Sequence, residues 1–172
     1  MARIFDGIKS FLRNHFEEEG LERDDEEDML SFRLEDEEGH EWGCLAVAEE
    51  QAEQVMFYSV MLETVAPEHR NEVMRFVTLA NYGMQVGNFE LDLEDGEVRF
   101  KTSVDVEGVE LDEGLLRNLV ELNIMMMGLY FDSLLAVMRG GMSADEAIAE
   151  VEEDEDDEED EGAEGADQSD ER

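Results

Sequence analysis

Apolar residues recur with helical spacing in two stretches of the first half of the chain. The first stretch, residues 2–16, is interrupted by charged residues and has the apolar positions Ile4, Phe5, Ile8, Phe11, Leu12 and Phe16. The second has the apolar positions Val73, Phe76, Val77, Ala80 and Met84. Steps of three and four residues place side chains on one face of a helix, so the pattern predicts two amphipathic helices that each bury one face.

Between these helices, three segments alternate apolar and polar residues or run apolar, as β-strands do. They are MLSFRLED, HEWGCLAVAEE and EQVMFYSVML, and the polar stretch EEGH between the first two favours a turn. The segments predict an antiparallel meander. In the third segment both sets of alternate residues are mostly apolar, so we expect a central strand that is covered on both faces.

A second hairpin is predicted from NFELDLEDGEVRF, residues 88–100. Asp95 and Gly96 are a favoured central pair of a two-residue type I′ turn, and such a turn fixes the register of its strands. This register places apolar residues opposite each other on one face and opposite charges on the other. Its cross-strand pairs are Leu93 with Val98, Leu91 with Phe100, Asp92 with Arg99, and Glu90 with Lys101.

The longest apolar stretch begins after Asp112, a predicted N-cap, and ends at Gly140. Its polar residues form a stripe one residue wide, which leaves two apolar rows on the predicted helix. We expect one row to pack on the sheet, namely Leu115, Leu119, Leu122, Met126 and Leu129. The second row is our candidate surface for a dimer or a partner: Leu116, Val120, Met127, Phe131, Leu134 and Met138.

Together these elements predict one α+β domain in the order α-β-β-β-α-β-β-α, with helices packed on an antiparallel five-stranded sheet. The domain spans residues 1–149: the N-terminal amphipathic helix 2–16, an acidic linker 17–28 and the core 29–149. Ser143 and Glu146 match a capping box that starts a further short helix. Residues 150–172 hold fifteen acidic residues and one arginine, which predicts a disordered acidic tail.

The chain carries 50 Asp and Glu against 12 Lys and Arg, a formal net charge of −38. Such a charge repels phosphate backbones, so we expect no nucleic acid as a partner. Lys9 and Lys101 are the only lysines. Many carboxylates with few lysines indicate a protein from a salt-rich cytoplasm, because high salt screens the self-repulsion. A mimic of nucleic acid and an acidic partner for basic proteins are the alternatives.

The sequence shows no catalytic or cofactor constellation. Cys44 is the single cysteine and lies in an alternating apolar segment, so we expect a buried thiol and no disulfide. His15, His40 and His69 lie on separate predicted elements, and consecutive methionines point apart on a helix, so we expect no metal site. Phosphate-binding glycine loops are missing from the sequence as well. We therefore predict no cofactor and no enzymatic activity.

Four further expectations concern location and local structure. The first helix lacks the pattern of a signal peptide, which favours a cytoplasmic protein. The long apolar helix is interrupted by Asp132, so we expect no membrane span. Asn81 falls near the core-facing row of the second helix, and we expect its side chain to satisfy backbone groups at the helix end. The acidic tail is either a solvated segment or an arm that docks on Arg3, Lys9 and Arg13.

The run NYGMQVGNFELDLEDGEVRFKTSVDVEG, residues 81–108, closely resembles the YbjN family, and its flanking segments extend the resemblance from about Met29 to Ile148. The resemblance implies a bacterial sensory transduction regulator. It also implies an α-β-β-β-α-β-β-α fold like that of type III secretion chaperones, which bind effector proteins as homodimers. That order agrees with the order derived from periodicity. The family has no established catalytic residues to transfer to this chain.

These observations predict a non-enzymatic, protein-binding adaptor or chaperone-like regulatory module that acts as a homodimer. Its further protein partner is not identified by the sequence. The alternative is a regulatory domain that senses a small molecule in a pocket between the sheet and the C-terminal helix.

Overall fold

The computed structural model describes residues 4–16, 21–24 and 28–153. In chain order the elements are α1 (Ile4–His15), β1 (Glu22–Asp24), β2 (Met29–Glu35), β3 (Glu41–Glu49), β4 (Gln54–Val60), α2 (Arg70–Gly83), β5 (Asn88–Leu91), β6 (Val98–Asp105), α3 (Glu113–Met138) and α4 (residues 144–153). The strands form one antiparallel sheet in the order β1-β2-β3-β4-β6-β5. The predicted α+β class and the order of its elements are confirmed.

The sheet has one short strand more than the sequence pattern predicts. β1 lies within the predicted acidic linker 17–28 and pairs Glu22 with Ser31 and Asp24 with Met29 of β2. Strand pairing joins backbone groups, so a segment with charged side chains can pair with an apolar strand that lies beside it. The rest of that linker, residues 17–20 and 25–27, lies outside the described residues.

The helices cover one face of the sheet. α3 packs on β4 and β6, α1 packs on β3 beside it, and α2 packs on β5. The strand residues that point to the helices are buried, and they alternate with half-buried or exposed residues that point to the other face. The largest buried side chains that the strands place on the covered face are Leu30, Phe32, Trp42, Phe57, Phe89 and Phe100.

Side-chain caps define the ends of the C-terminal helices. The backbone N–H of Leu115 donates to Asp112 Oδ1 over 2.8 Å, as the predicted N-cap requires. At the start of α4, the N–H of Ser143 donates to Glu146 Oε2 over 3.1 Å and the N–H of Glu146 donates to Ser143 Oγ over 3.4 Å, so the predicted capping box is present. Val151 is buried, and the helix continues to residue 153. The ordered domain therefore extends past residue 149, and the tail beyond residue 153 lies outside the described residues.

The hairpin of β5 and β6 has a different register from the predicted one. Phe89 pairs with Phe100, and Leu91 pairs with Val98, so the loop is longer than a two-residue turn. Within the loop the backbone N–H of Gly96 donates to the carbonyl oxygen of Asp92 over 2.9 Å. The carbonyl oxygen of Gly96 accepts from the N–H of Val65, so a contact from outside the hairpin selects the wider turn. The shift is two residues, and each side chain keeps its predicted face.

Candidate interaction surface

The second face of the sheet is not covered by any described helix. At its centre, β3 and β4 present the half-buried side chains of Leu45, Val47, Met56, Tyr58 and Val60. We name this surface the open face. The sequence predicts that β4 is covered on both faces, but within the described part of the chain this prediction is wrong for the second face. Large contiguous apolar patches on folded domains are typical of interaction sites.

Ion pairs border the open face on two sides. On β2 and β3, Arg33 Nη1 lies 3.2 Å from Glu41 Oε1. On β5 and β6, Glu90 lies 2.8 Å from Arg99 Nε and 3.5 Å from Lys101 Nζ. Partial burial alone would raise the pKa of Glu90, but the hydrogen bond and charge of Arg99 and the charge of Lys101 outweigh it and lower that pKa. The carboxylate stays ionised, and the border is largely neutralised in pairs.

Tyr58 links the border to the apolar centre. The guanidinium carbon of Arg99 lies 4.6 Å from the centroid of the Tyr58 ring, and Lys101 Nζ lies 6.0 Å from it. Tyrosine and arginine are the residue types that contribute most to binding when they lie near the centre of an interface. The sequence pattern did not single out these two residues, because it predicted that β4 is covered.

A cleft of about 580 Å3 lies at one end of the open face. Gly43 forms part of its floor, and Ser31, Arg33, Leu45, Val60 and Leu62 stand around it. A Cβ atom added to Gly43 would lie 3.7 Å from the carbonyl oxygen of Val60 and 4.0 Å from Leu62 Cδ2, which are ordinary contacts. Leu62 is 48% exposed. The cleft can therefore receive an apolar side chain.

Asn81 protects one edge of the sheet. Its Nδ2 donates to the carbonyl oxygen of Phe89 over 3.0 Å, and its Oδ1 accepts from the N–H of Phe89 over 2.7 Å. The prediction that Asn81 satisfies backbone groups is confirmed, although the partner is strand β5. These bonds occupy outward backbone groups that another strand would need. The β5 edge is therefore less available for pairing with a further strand.

The six residues predicted as the dimer or partner surface lie in the interior. Leu116, Val120, Met127, Phe131, Leu134 and Met138 are all at most 8% exposed. α3 lies over the middle of the sheet with α1 on one side and α2 on the other. These contacts bury more of its surface than one row of side chains. The assignment of this row to an exposed surface is wrong for the folded monomer.

The row assigned to the sheet lies nearer to solvent. Leu119 is buried, but the other four members are half-buried, namely Leu115, Leu122, Met126 and Leu129. Met125 beside them is 60% exposed. Periodicity therefore separates the two rows of α3 correctly but does not indicate which of them meets the sheet.

Buried polar groups fasten α3 to the sheet. Asn123 Nδ2 lies 3.0 Å from the carbonyl oxygen of Phe57, 3.3 Å from that of Phe100 and 3.2 Å from Thr102 Oγ1. Thr102 Oγ1 donates to the carbonyl oxygen of Leu119 over 2.7 Å. Together with the buried Met127, these side chains occupy the space where the alternative function would place a ligand pocket.

The groups with potential reactivity do not form a catalytic site within the described residues. Burial raises the pKa of Cys44 to about 12, so the thiol stays protonated at neutral pH. His15, His40 and His69 lie on α1, in the β2–β3 turn and at the N-cap of α2. In the described ranges, no group of three histidine, cysteine or acidic side chains is arranged to hold a metal.

By length and composition alone, α3 is apolar enough to cross a membrane. In the fold it is the central helix of the covered layer, with Val120 and Leu134 fully buried. The core helix of a domain meets the same criteria of length and composition as a membrane span. The absence of a membrane span stays a prediction.

A comparison with protein families matches residues 9–136 to a family described as "Putative bacterial sensory transduction regulator". The matched range begins in α1 and ends near the end of α3, so it includes all six strands and the whole open face. No curated protein matches the chain.

Proposed function

Because the chain belongs to the YbjN family, we propose that it is a regulatory module that acts by binding proteins and does not catalyse a reaction. The open face is the observation that carries this proposal. It has an apolar centre, a tyrosine and an arginine beside that centre, and charges paired at the border. This is the anatomy of protein interfaces, in which an apolar core is surrounded by a polar rim.

We propose that a second copy of the chain occupies the open face. With strands about 4.8 Å apart and about 3.4 Å per residue, the face measures roughly 25 Å by 25 Å, or about 600 Å2 in outline. A standard interface buries about 800 Å2 on each partner, so two open faces packed together approach that size. Two identical surfaces related by a two-fold axis form a closed dimer.

The centre of the open face lies between β3 and β4, and the proposed two-fold axis passes there, parallel to the strands. This axis would place β2 of one copy over β6 of the other. Arg33 pairs with Gly43, Gly43 with Val60 and Val60 with Arg99, so Arg33 of one copy would lie at the height of Arg99 of the other. Each arginine would keep the carboxylate that neutralises it within its own chain, Glu41 or Glu90.

The same axis places β4 of one copy over β3 of the other at the same height along the strands. Val60 of β4 pairs with Gly43 of β3 within one chain, so Val60 of one copy would lie over Gly43 of the other, with the exposed Leu62 two residues further on at the rim of the cleft. The cleft would receive the Val60 side chain, and the contact would occur twice in the dimer.

Light scattering in concentrated salt tests the proposed dimer. We expect the unmodified chain to have the mass of a dimer and the Gly43→Leu and Leu62→Asp variants to have the mass of a monomer. The added leucine would fill the cleft, and the aspartate would put a charge at its rim. The matched controls are Gly83→Leu, whose added Cβ meets no atom within 4 Å, and Leu93→Asp, at a residue that is 58% exposed.

Both controls should remain dimers. An unmodified chain that stays monomeric at every concentration would contradict the dimer, whereas variants that stay dimeric would show that another surface forms it. Circular dichroism of each variant separates loss of association from loss of fold.

We further propose that the protein works in a salt-rich cytoplasm. The net charge of −38 is carried by tail and domain alike, and two such chains repel each other strongly in dilute buffer. At an ionic strength of about 1 M the Debye length falls to about 3 Å, so that only charges in near contact still interact. Concentrated salt is therefore the condition in which the proposed dimer is stable.

A further inference from the structure

His40 connects the turn between β2 and β3 to helix α3. Its Nδ1 lies 2.8 Å from Asp36 Oδ2 in the turn, and its Nε2 lies 3.4 Å from Asp132 Oδ1 on α3. The ring stacks on Phe131 with the ring centroids 4.6 Å apart. The side chain of His40 is 15% exposed. The imidazole is therefore held between two elements by contacts at both nitrogens and on one side of the ring.

Asp36 determines which nitrogen of His40 exchanges its proton. Asp36 Oδ1 accepts from the backbone N–H groups of Glu38 and His40 over 3.0 and 2.8 Å, which fixes the carboxylate in the turn. An ionised carboxylate can only accept hydrogen bonds, so Nδ1 keeps its hydrogen in both charge states. The proton that titrates is the one on Nε2, which faces Asp132.

The interaction between His40 and Asp132 is attractive or repulsive depending on whether Nε2 carries that proton. When Nε2 is protonated, it donates to Asp132 Oδ1, and opposite charges attract. When Nε2 is neutral, its lone pair faces a carboxylate, and the contact is repulsive. Asp132 is 81% exposed, so in the neutral state its side chain is free to turn to water. The ring stack with Phe131 needs no proton and can persist in both states.

Acidic side chains face His40 from both elements that pack against it. Asp36 and Glu38 face it from the turn, with Glu38 Oε2 3.8 Å from Nδ1, and Asp132 faces it from α3. Burial by itself would lower the pKa of His40. The hydrogen bond with Asp36 and the charges of the three carboxylates outweigh burial and raise that pKa.

We propose that His40 is a proton-operated latch that ties the β2–β3 turn to Asp132 of α3 while its ring is charged and releases Asp132 when Nε2 loses its proton. The stabilisation is fully present below the pKa that histidine has in the unfolded chain, and it is lost as the pH rises through the higher pKa of the folded state. A regulator with such a latch responds to pH within the range in which histidine titrates. The latch goes beyond the proposed function, because it lies within one chain and does not need the dimer.

NMR titration of His40 in the full chain tests the latch, with the His40→Gln variant identifying the signal. We expect a pKa above the ordinary value in the unmodified chain and a clear downward shift in Asp132→Asn. The matched control is Glu121→Gln, which removes one charge from another exposed position of α3. It should shift the pKa of His40 much less, because Asp132 lies beside Nε2 and Glu121 is about three turns away along α3.

Stability against pH gives a second readout in the same variants. The free energy of unfolding should fall as the pH rises through the titration of His40 in the unmodified chain, and Asp132→Asn should reduce this fall. An ordinary pKa for His40, or equal shifts from Asp132→Asn and Glu121→Gln, would overturn the proposal. The measurements can be repeated on a monomeric Gly43→Leu variant, so that failure of the latch and failure of the dimer are distinguished.

Discussion

The two faces of the sheet have the same strands but different surroundings. On the covered face Trp42, Cys44, Val55 and Phe57 have almost no exposure, because three helices lie over them. On the open face the neighbouring residues of the same strands, such as Leu45 and Met56, are half-buried. The covered face therefore holds the fold together, whereas the open face leaves apolar area partly exposed.

The largest expected effect on stability comes from a substitution on the buried side of α3, compared with one on its exposed side. Met127→Glu places a carboxylate at a fully buried position of the covered layer. Burying an unpaired charge costs several kcal/mol, on the order of the whole stability of a domain, about 5–15 kcal/mol. We expect loss of the folded state by circular dichroism. Met125→Glu is the control, since Met125 is 60% exposed, and it should remain folded. A folded Met127→Glu variant would contradict the assignment of the interior face.

The polar anchor under α3 is expected to have the next largest effect. Asn123→Leu removes the donor to the carbonyl oxygens of Phe57 and Phe100 and leaves Thr102 with one partner fewer. Unpaired buried polar groups cost about 1–3 kcal/mol each, so we expect a loss of about 2 kcal/mol in chemical denaturation. Asn118→Leu, at an exposed position of the same helix, should change stability by less than about 0.5 kcal/mol. Equal effects of both substitutions would mean that the anchor does not stabilise the domain.

When salt is removed, we expect the proposed dimer to dissociate before the domain unfolds. Lowering the ionic strength from about 1 M to 0.1 M lengthens the Debye length from about 3 to 10 Å. Repulsion between two chains of charge −38 then increases. We expect the dimer to dissociate at least about tenfold more readily, which is roughly 1.4 kcal/mol. Sedimentation at several salt concentrations measures this change, with circular dichroism as the check on folding. A dimer that tightens in dilute buffer would contradict the account.

The smallest effect concerns Cys44, which lies on the covered face directly beneath the cleft. Because burial raises the pKa of its thiol to about 12, the reactive thiolate is scarce at neutral pH. We expect no reaction with a thiol reagent in the folded protein and full reaction after denaturation. Rapid labelling of the folded chain at neutral pH would show that the covered face opens.

Local patterns predicted the fold where neighbours along the chain decide the structure. The alternation in β3 and β4, the N-cap Asp112 and the capping box at Ser143 act over a few residues, and each is present. The register of the β5–β6 hairpin depends on the contact between Gly96 and Val65, which no local pattern contains.

The candidate surface was harder to predict than the fold. Both rows of α3 are apolar, and only the positions of α1 and α2 determine that Met127 points inward and Met125 outward. In the same way, the apolar side chains of Met56 and Val60 were compatible with a covered strand. The absence of a helix over them in the described part of the chain is a property of the whole fold.

Cross-linking between two variants tests the central claim most directly. Gly43→Cys and Val60→Cys chains are mixed in concentrated salt and oxidised, while the native Cys44 stays buried and unreactive. If two open faces pack across the proposed axis, the thiol introduced at position 60 of one chain meets the thiol introduced at position 43 of the other. The mixture then gives a disulfide-linked dimer in excess of either variant alone. A yield no higher than that of a control mixture of Gly83→Cys and Leu93→Cys chains would contradict the account.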